Sequence, residues 1–260
     1  MTPNAGLTVE SILDDLEAGR ARAAWPDATT AGGWRVDPRV KAAIVERFAD
    51  RRTVDWSVGP FDFRDRAAFP PRTLAGGPWR IVPGGTAVRA GAHLEPGVVV
   101  MPPSYVNVGA WIGADTMVDS HVLVGSCAQV GERVHLSAGV LLGGVLEPPR
   151  ARPVIVEDDA FVGAGSALLE GVLVARRAVI AAGVVLTGTS RLFDLVEERV
   201  IDGTSDDPLV VPEGAVVVSG TRPASGPWAA SNSLSLAAAL IVKRRDAGTD
   251  ARVALEGALR

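Results

Sequence analysis

The stretch "MVDSHVLVGSCAQVGERVHLSAGVLLGGVLEP", Met117 to Pro148, decides the fold. It is apolar yet rich in glycine. Aliphatic residues fall on every sixth place: Val118, Val124, Val130, Leu136 and Leu142. Followed backwards, the series runs through Ile112, Val106, Val100, Leu94 and Val88 to Val82, eleven positions without a miss. With nearly half the chain apolar, chance gives such a run about once in several thousand trials. The phase breaks at Glu147–Pro153 and resumes two places later with Val156, Val162, Leu168, Val174, Ile180 and Leu186.

A sustained period of six belongs neither to a helix nor to an ordinary strand; it is the hexapeptide repeat of a parallel β-helix. Each hexad supplies one short strand and one corner, and three hexads make one triangular coil. The aliphatic points inward. A second inward position lies four places on, at Ala92, Val98, Ser104, Ala110, Thr116, Val122, Ala128, Val134 and Val140, small or β-branched as a narrow prism requires. The expected architecture is mainly β: a left-handed β-helix over 79–220, about five to six coils long, with loops near 147–153 and 190–209. Residues 1–78 are expected to form a small, mostly helical N-terminal domain, since 8–20 and 38–50 show helical spacing. Residues 221–260 read as a C-terminal strand and short helix.

The bulk composition narrows the function. A net charge of −4 without a basic block argues against nucleic-acid binding. A single cysteine, Cys127, excludes an internal disulfide and any cysteine-based zinc cluster, and suits a reducing cytoplasm. No run is apolar enough for a membrane span, and the N-terminus lacks a signal-peptide pattern. Three scattered histidines make no metal site.

The bare hexad most often belongs to acyltransferases that lay coenzyme A along a groove between prisms. The motifs here are more specific. "MPPSYVNVGAWIGADTMVDSHVLVGSCAQVGERVHLSAGVLLGGVLEP" (101–148), "VIVEDDAFVGAGSALLEGVLV" (154–174), "VPEGAVVVSG" (211–220) and "AALIVKRRDAGTDARV" (238–253) resemble the tetrahydrodipicolinate N-succinyltransferases of bacterial lysine biosynthesis. The likeness extends more weakly through "LEAGRARAAWPD", "VKAAIVERF" and "GPFDF", so it covers nearly the whole chain. It implies a homotrimer that binds succinyl-CoA between chains and acylates an amino-dicarboxylate.

The reaction states what the site needs. A neutral amine attacks a thioester carbonyl, so a base must take a proton, donors must face the oxyanion, and a cation must hold the acceptor's carboxylate. The resemblance assigns Asp119 to the amine and Arg80 to a carboxylate, for which its planar fork suits. By residue type alone Asp119 could equally cap a turn. His121 stands where the family carries Trp; it is either a base beside Asp119 or a surface imidazole. Glu147 and Glu170 are candidate acceptor contacts. Gly143 and Gly144 could admit the pantetheine arm, and Lys243 and Arg244 could meet coenzyme phosphates. Cys127 reads as a packing residue, His135 as a stacked structural imidazole, His93 as a surface one.

Besides His121, four departures from the family pattern stand out. Gly165 and Ala167 replace an Arg and a Glu, and the "MPPS" and "PGGT" stretches each carry one extra residue that keeps the six-step phase. They leave room for a paralogue acting on another amine or acyl group, or for a catalytically silent scaffold or sensor.

Overall fold

The computed structural model describes residues 6–30 and 32–250. Its centre is a left-handed prism of two-residue strands in parallel pairs. The first face carries 80–81, 99–100, 117–118, 135–136, 161–162 and 179–180; the second 87–88, 105–106, 123–124, 141–142, 167–168 and 185–186; the third 93–94, 111–112, 129–130, 155–156, 173–174 and 210–211. Six strands on each face make six coils, and Val216–Val217 adds a seventh strand to the first face. The register advances by eighteen residues per coil, as in Val100 to Val118 to Leu136. Each coil is tied to the next by bonds such as Asp119 N–H to the Leu136 carbonyl, 2.9 Å, and Leu123 N–H to the Val140 carbonyl, 2.9 Å.

The hexad aliphatics from Val88 onward are buried, most of them fully, and they form one continuous core with the second inward set. Full burial of each such side chain stabilises the fold by roughly 1.5–3 kcal/mol. Most polar inward residues are satisfied, the exception being Thr86 in the first coil, whose Oγ1 is buried without a partner. Ser104 Oγ donates to the Asp119 carbonyl, 2.7 Å, and accepts from Val122 N–H, 3.1 Å. A serine inside one coil thus fixes the corner of the next, the corner that carries Asp119.

The series differs from expectation at its start. Ile81, not Val82, pairs with Val100 and packs on the core. Ile81 to Val88 is a seven-residue step, so the extra residue of "PGGT" is absorbed in the corner at Pro83–Thr86, where Gly84 and Gly85 both have positive φ. Later, Leu136 pairs with Val162 and Val174 with Val211. The lengthened steps expel the expected loops near 147–153 and 190–209, and the second loop includes the hairpin Arg191–Asp194/Arg199–Asp202.

The N-terminal segment is not mostly helical. It contains the helices Ile12–Glu17 and Pro38–Ala49 and the hairpins Ala24–Pro26/Trp34–Val36 and Thr53–Val58/Phe61–Arg66. The helix expected over 8–20 is shorter because Thr8 and Ser11 bond to each other in a turn and Gly19 takes φ 71°. The second helix begins where Asp37 accepts from Arg39 N–H, 3.0 Å, with Pro38 in the first turn. Ile12, Leu13, Leu16, Val40 and Ile44 pack against Ala90, Val108 and Cys127 of the prism.

The same segment covers the third face. Trp111 on that face meets His93 at 3.9 Å between ring centroids and Trp25 at 6.2 Å, with the Arg22 guanidinium 4.2 Å from its ring centre. His93 is therefore no surface group: it contacts the Glu17 carbonyl and Glu95. At the other end Ala215–Pro223 and Ser235–Arg244 form a long antiparallel ribbon joined through Pro227–Ser231. Residues 247–250 are helical, and the rest of the expected closing helix lies outside the described residues.

Candidate active site

Three edges run along the prism. The edge after the first face carries Asp119, which follows strand 117–118. Arg80 begins the strand two coils earlier on the same face, in register with Val99 and then Met117. Two coils correspond to about 10 Å. Arg80 is exposed and has no ion pair among the described residues. A carboxylate beside this edge would find a free guanidinium at one point and a carboxylate base at another.

The Asp119 side chain is 26% exposed, and its Oδ2 lies 3.0 Å from His135 Nε2. His135 is buried in the outward column of the first face, between Met117 and Phe161; its ring centroid is 5.1 Å from that of Phe161. This contact is the main feature that sequence reading missed. A signal existed: one coil of eighteen residues takes Met117 to His135, placing the imidazole next to the corner that holds Asp119.

His121 is exposed, with φ 61° and its N–H bonded to the Pro103 carbonyl, 2.6 Å. It occupies the left-handed corner position. The later corners of this edge carry Ala138–Gly139, Ala164–Gly165 and Ala182–Gly183, all exposed. Below His121 the exposed corner pairs of this edge carry no side chain longer than a methyl over about 14 Å, three coil spacings.

At the far end of that edge lies a groove of about 390 Å3 between the last coil and the C-terminal ribbon. Gly183, Ser190, Arg191, Ser219, Gly220 and Arg222 line it. Arg191 pairs with Asp202 at 3.1 Å, while Arg222 has no ion pair among the described residues. Sequence reading missed both arginines, because the hairpin that carries Arg191 and the ribbon that carries Arg222 are not hexad structure.

Glu170 and Glu147 lie elsewhere, on the edge after the second face. With Gly144, Arg152, Thr189 and Thr204 they line a cavity of about 450 Å3. Arg152 is largely buried, and its guanidinium donates to the carbonyls of Gly171, Pro208 and Leu209. Within one chain, the whole second face separates this cavity from Asp119.

The residues expected to meet coenzyme A are largely engaged inside the chain. A Cβ on Gly144 would sit 2.8 Å from Ser126 N, and one on Gly143 3.0 Å from a Leu169 methyl, so contact between coils already uses these glycines. Arg244 bonds buried Asp194 at 2.7 Å. Burial alone would raise the Asp194 carboxyl; Arg244 and the Glu197 and Val196 amides outweigh it and hold the group below the ordinary carboxylate range. Lys243 pairs with Asp246 at 2.9 Å.

Cys127 is fully buried, and burial pushes its thiol up to about 12. It faces the N-terminal core, as a packing residue would. Among the described residues no three His, Cys, Asp or Glu side chains converge as metal ligands, and no helix is long and apolar enough to cross a membrane.

A family profile described as "Hexapeptide repeat of succinyl-transferase" matches residues 153–188. The 2,3,4,5-tetrahydropyridine-2,6-dicarboxylate N-succinyltransferase of Idiomarina loihiensis is 41% identical to the chain, over 97% of it and 88% of the relative. The chain belongs to the tetrahydropyridine-dicarboxylate N-succinyltransferase family. The family's enzyme from Dechloromonas aromatica is 37% identical over 99% of the chain and 91% of its own length. Among solved structures, a putative 2,3,4,5-tetrahydropyridine-2-carboxylate N-succinyltransferase from Campylobacter jejuni superposes with a TM-score of 0.55 at 19% identity, over 90% of the chain. The chain spans 62% of that neighbour's length, and the likeness concerns the fold alone.

Proposed function

We propose that the chain transfers the succinyl group of succinyl-CoA to the amine that 2,3,4,5-tetrahydropyridine-2,6-dicarboxylate offers once water has opened its C=N bond. The observation that carries this reading is Asp119, held at an accessible corner of the face that also carries an unpaired Arg80, in a chain of this family. Arg80 takes an acceptor carboxylate. Asp119 orients the amine and accepts its proton as nitrogen attacks the thioester carbonyl. The C–S bond then breaks, and the coenzyme leaves as a thiol once protonated. Backbone N–H groups at the corner supply donors for the oxyanion.

The donor lies along the same edge. The Ala–Gly corners let an extended pantetheine arm approach backbone, and Arg222, with Arg191 beside it, offers positive charge to the nucleotide end. On this reading the phosphates lie near Arg222 rather than near Arg244.

The functional unit is a homotrimer. The second face presents Tyr105, Leu123, Leu141, Ala167 and Val185, with Val185 58% exposed, and this apolar strip suits another copy. Asp119 and Glu170 flank that strip on opposite edges, so only neighbouring copies bring them into one site. A cytoplasmic setting agrees with the acyl-CoA donor and the single unpaired thiol.

The test is thiol release from succinyl-CoA with the tetrahydropyridine dicarboxylate as acceptor. Asp119→Asn should lower kcat by about 10²–10⁴-fold, the usual contribution of a positioned base. Mixing separately inactive Asp119→Asn and Glu170→Gln subunits should restore part of the activity if sites are shared between copies. Absence of turnover by the unaltered protein with this acceptor would overturn the reading.

A further inference from the structure

We propose that His135 is a positioning residue for the Asp119 carboxylate, holding one oxygen so that the other faces the acceptor amine. The inference rests on the assignment of Asp119 made above and adds a second group to it.

The outward column of the first face opens with the exposed Arg80 and then reads Val99, Met117, His135, Phe161, Val179 and Val216. Beyond Arg80 every other member is apolar, and Val99, Met117, His135 and Val179 are all buried. An imidazole here gives up hydration that a leucine would not need. Its ring lies flanked by Met117 and Phe161, so it has little rotational freedom. From that fixed ring Nε2 reaches Asp119 Oδ2 at 3.0 Å. No other hydrogen bond or ion pair to the Asp119 side chain is present among the described residues. Its backbone carbonyl is pinned separately by Ser104 Oγ, 2.7 Å.

Main chain and side chain are therefore held by different coils. Ser104 sets where the corner sits, and His135 sets where the carboxylate points. When Nε2 carries the proton, the imidazole donates to Oδ2 and Oδ1 is left to take the proton of the attacking amine. The proton need go no further, since Nε2 is already protonated. The imidazole touches neither acceptor nor thioester and acts through Asp119 alone. Displacing a reacting group by about 1 Å costs on the order of 100-fold in rate.

Two substitutions separate this role from packing. His135→Leu keeps an apolar side chain in the column but removes the donor. His135→Gln places an amide N–H close to where Nε2 was. The leucine variant should lose about 30–100-fold in kcat with KM for succinyl-CoA within about 2-fold. The glutamine variant should recover to within about 5-fold of the parent. In an Asp119→Asn background the leucine should cost nothing further, because the group it positions is already gone. His135→Phe serves the same test should the leucine chain fail to fold.

Equal losses in the leucine and glutamine variants, or effects of Asp119→Asn and His135→Leu that multiply, would overturn the proposal. A crystal structure of His135→Leu gives a readout independent of turnover: the Asp119 side chain should leave its present rotamer or divide between two. An unchanged single rotamer sinks the inference even if the succinyl-transfer reading stands. Lack of turnover by the parent protein sinks that reading without altering the rotamer result.

Discussion

Two edges of one prism share a backbone and meet opposite fates. Along the edge after the first face, the left-handed corner positions are His121, Gly139, Gly165 and Gly183, with φ between 61° and 72°, and all four are exposed. Along the edge after the second face, the equivalent positions include Gly91, Gly109, Cys127 and Gly171, with φ between 64° and 81°, and all four are buried. The hexad dictates the turn at both. What differs is what lies on top. Leu13 covers Gly91, Ile44 covers Gly109, and the Arg152 backbone with Pro208 covers Gly171. The repeat makes three similar edges, and the segments outside it decide which one stays open for chemistry.

The sharpest way to break this comparison is to place the same side chain on both edges. A Cβ at Gly109 would meet Cys127 Sγ at 2.7 Å and Ile44 Cδ1 at 3.0 Å, whereas one at Gly165 would meet nothing within 4 Å. Both positions have positive φ, so valine at either costs about 1–2 kcal/mol in backbone strain. Only Gly109→Val adds overpacking, about 1–3 kcal/mol more. Urea unfolding should show Gly109→Val destabilised by about 2–5 kcal/mol and Gly165→Val by less than half of that. Equal losses would mean that the cover over the second edge contributes nothing specific.

The inner wall of the prism was legible in the sequence because its constraint is one-dimensional. A narrow column admits small or aliphatic side chains at a fixed period, and the period survives in the string. The misplacement of Val82 shows the limit: both Ile81 and Val82 are aliphatic, so pattern alone could not tell that the corner at Gly84–Gly85 takes the extra residue. The hairpins at 24–36 and 53–66 went unread for different reasons. The first alternates poorly and is held by tertiary contacts such as Trp34 Nε1 to Glu157 Oε1, 2.7 Å. The second does alternate, Val54, Trp56 and Val58 and then Phe61 and Phe63 about Gly59–Pro60, but Phe61 and Phe63 lie exposed and the hairpin contributes to no core. Of the site, Asp119 and Arg80 came from family resemblance. The role of His135 needed the coil step applied sideways, and Arg222 arrives on a ribbon that no hexad announces. Arg244 and Lys243 were drawn from a run of like charge, yet each has a carboxylate of its own chain within 3 Å.

A second prediction concerns what holds the covered edge shut. Lys41 lies on the face of helix Pro38–Ala49 that packs toward Cys127, is fully buried, and donates to the Ala151 carbonyl of the expelled loop, 2.5 Å. Burial pushes its ammonium down to about 8, from 10.5 for a free lysine. Between those two values the unfolded chain holds a proton that the folded chain has released. Stability from this group therefore rises as pH rises through that window and is lower beneath it. The full excursion is about 3 kcal/mol. The buried Cys127 thiol, pushed up to about 12, works in the opposite direction at high pH, but it is present in both chains compared. Unfolding free energies of the parent relative to Lys41→Met should thus climb by up to about 3 kcal/mol between pH 7 and 10.5. A difference that stays flat would show that Lys41 remains charged in the fold, and that the loop is latched by an ammonium rather than an amine.

The smallest effect in energy bears most directly on the open edge. Ala164 lies on that edge between Asp119 and the groove at Arg222, exposed, with a methyl as its only side chain. Arginine there has solvent to occupy and no buried neighbour to displace, so Ala164→Arg should change stability by less than about 0.5 kcal/mol. If the donor arm lies on this edge, the same substitution stands in its path. KM for succinyl-CoA should rise about 10-fold or more, while KM for the acceptor moves little, because Arg80 and Asp119 lie on the other side of the obstruction. The added positive charge by itself would favour an anionic coenzyme, so a higher KM can only come from occupied space. A variant with unchanged or lower KM for succinyl-CoA would move the donor off this edge. The exposed Ala–Gly corners would then reflect only what the left-handed turn requires, as they do beneath the N-terminal helices.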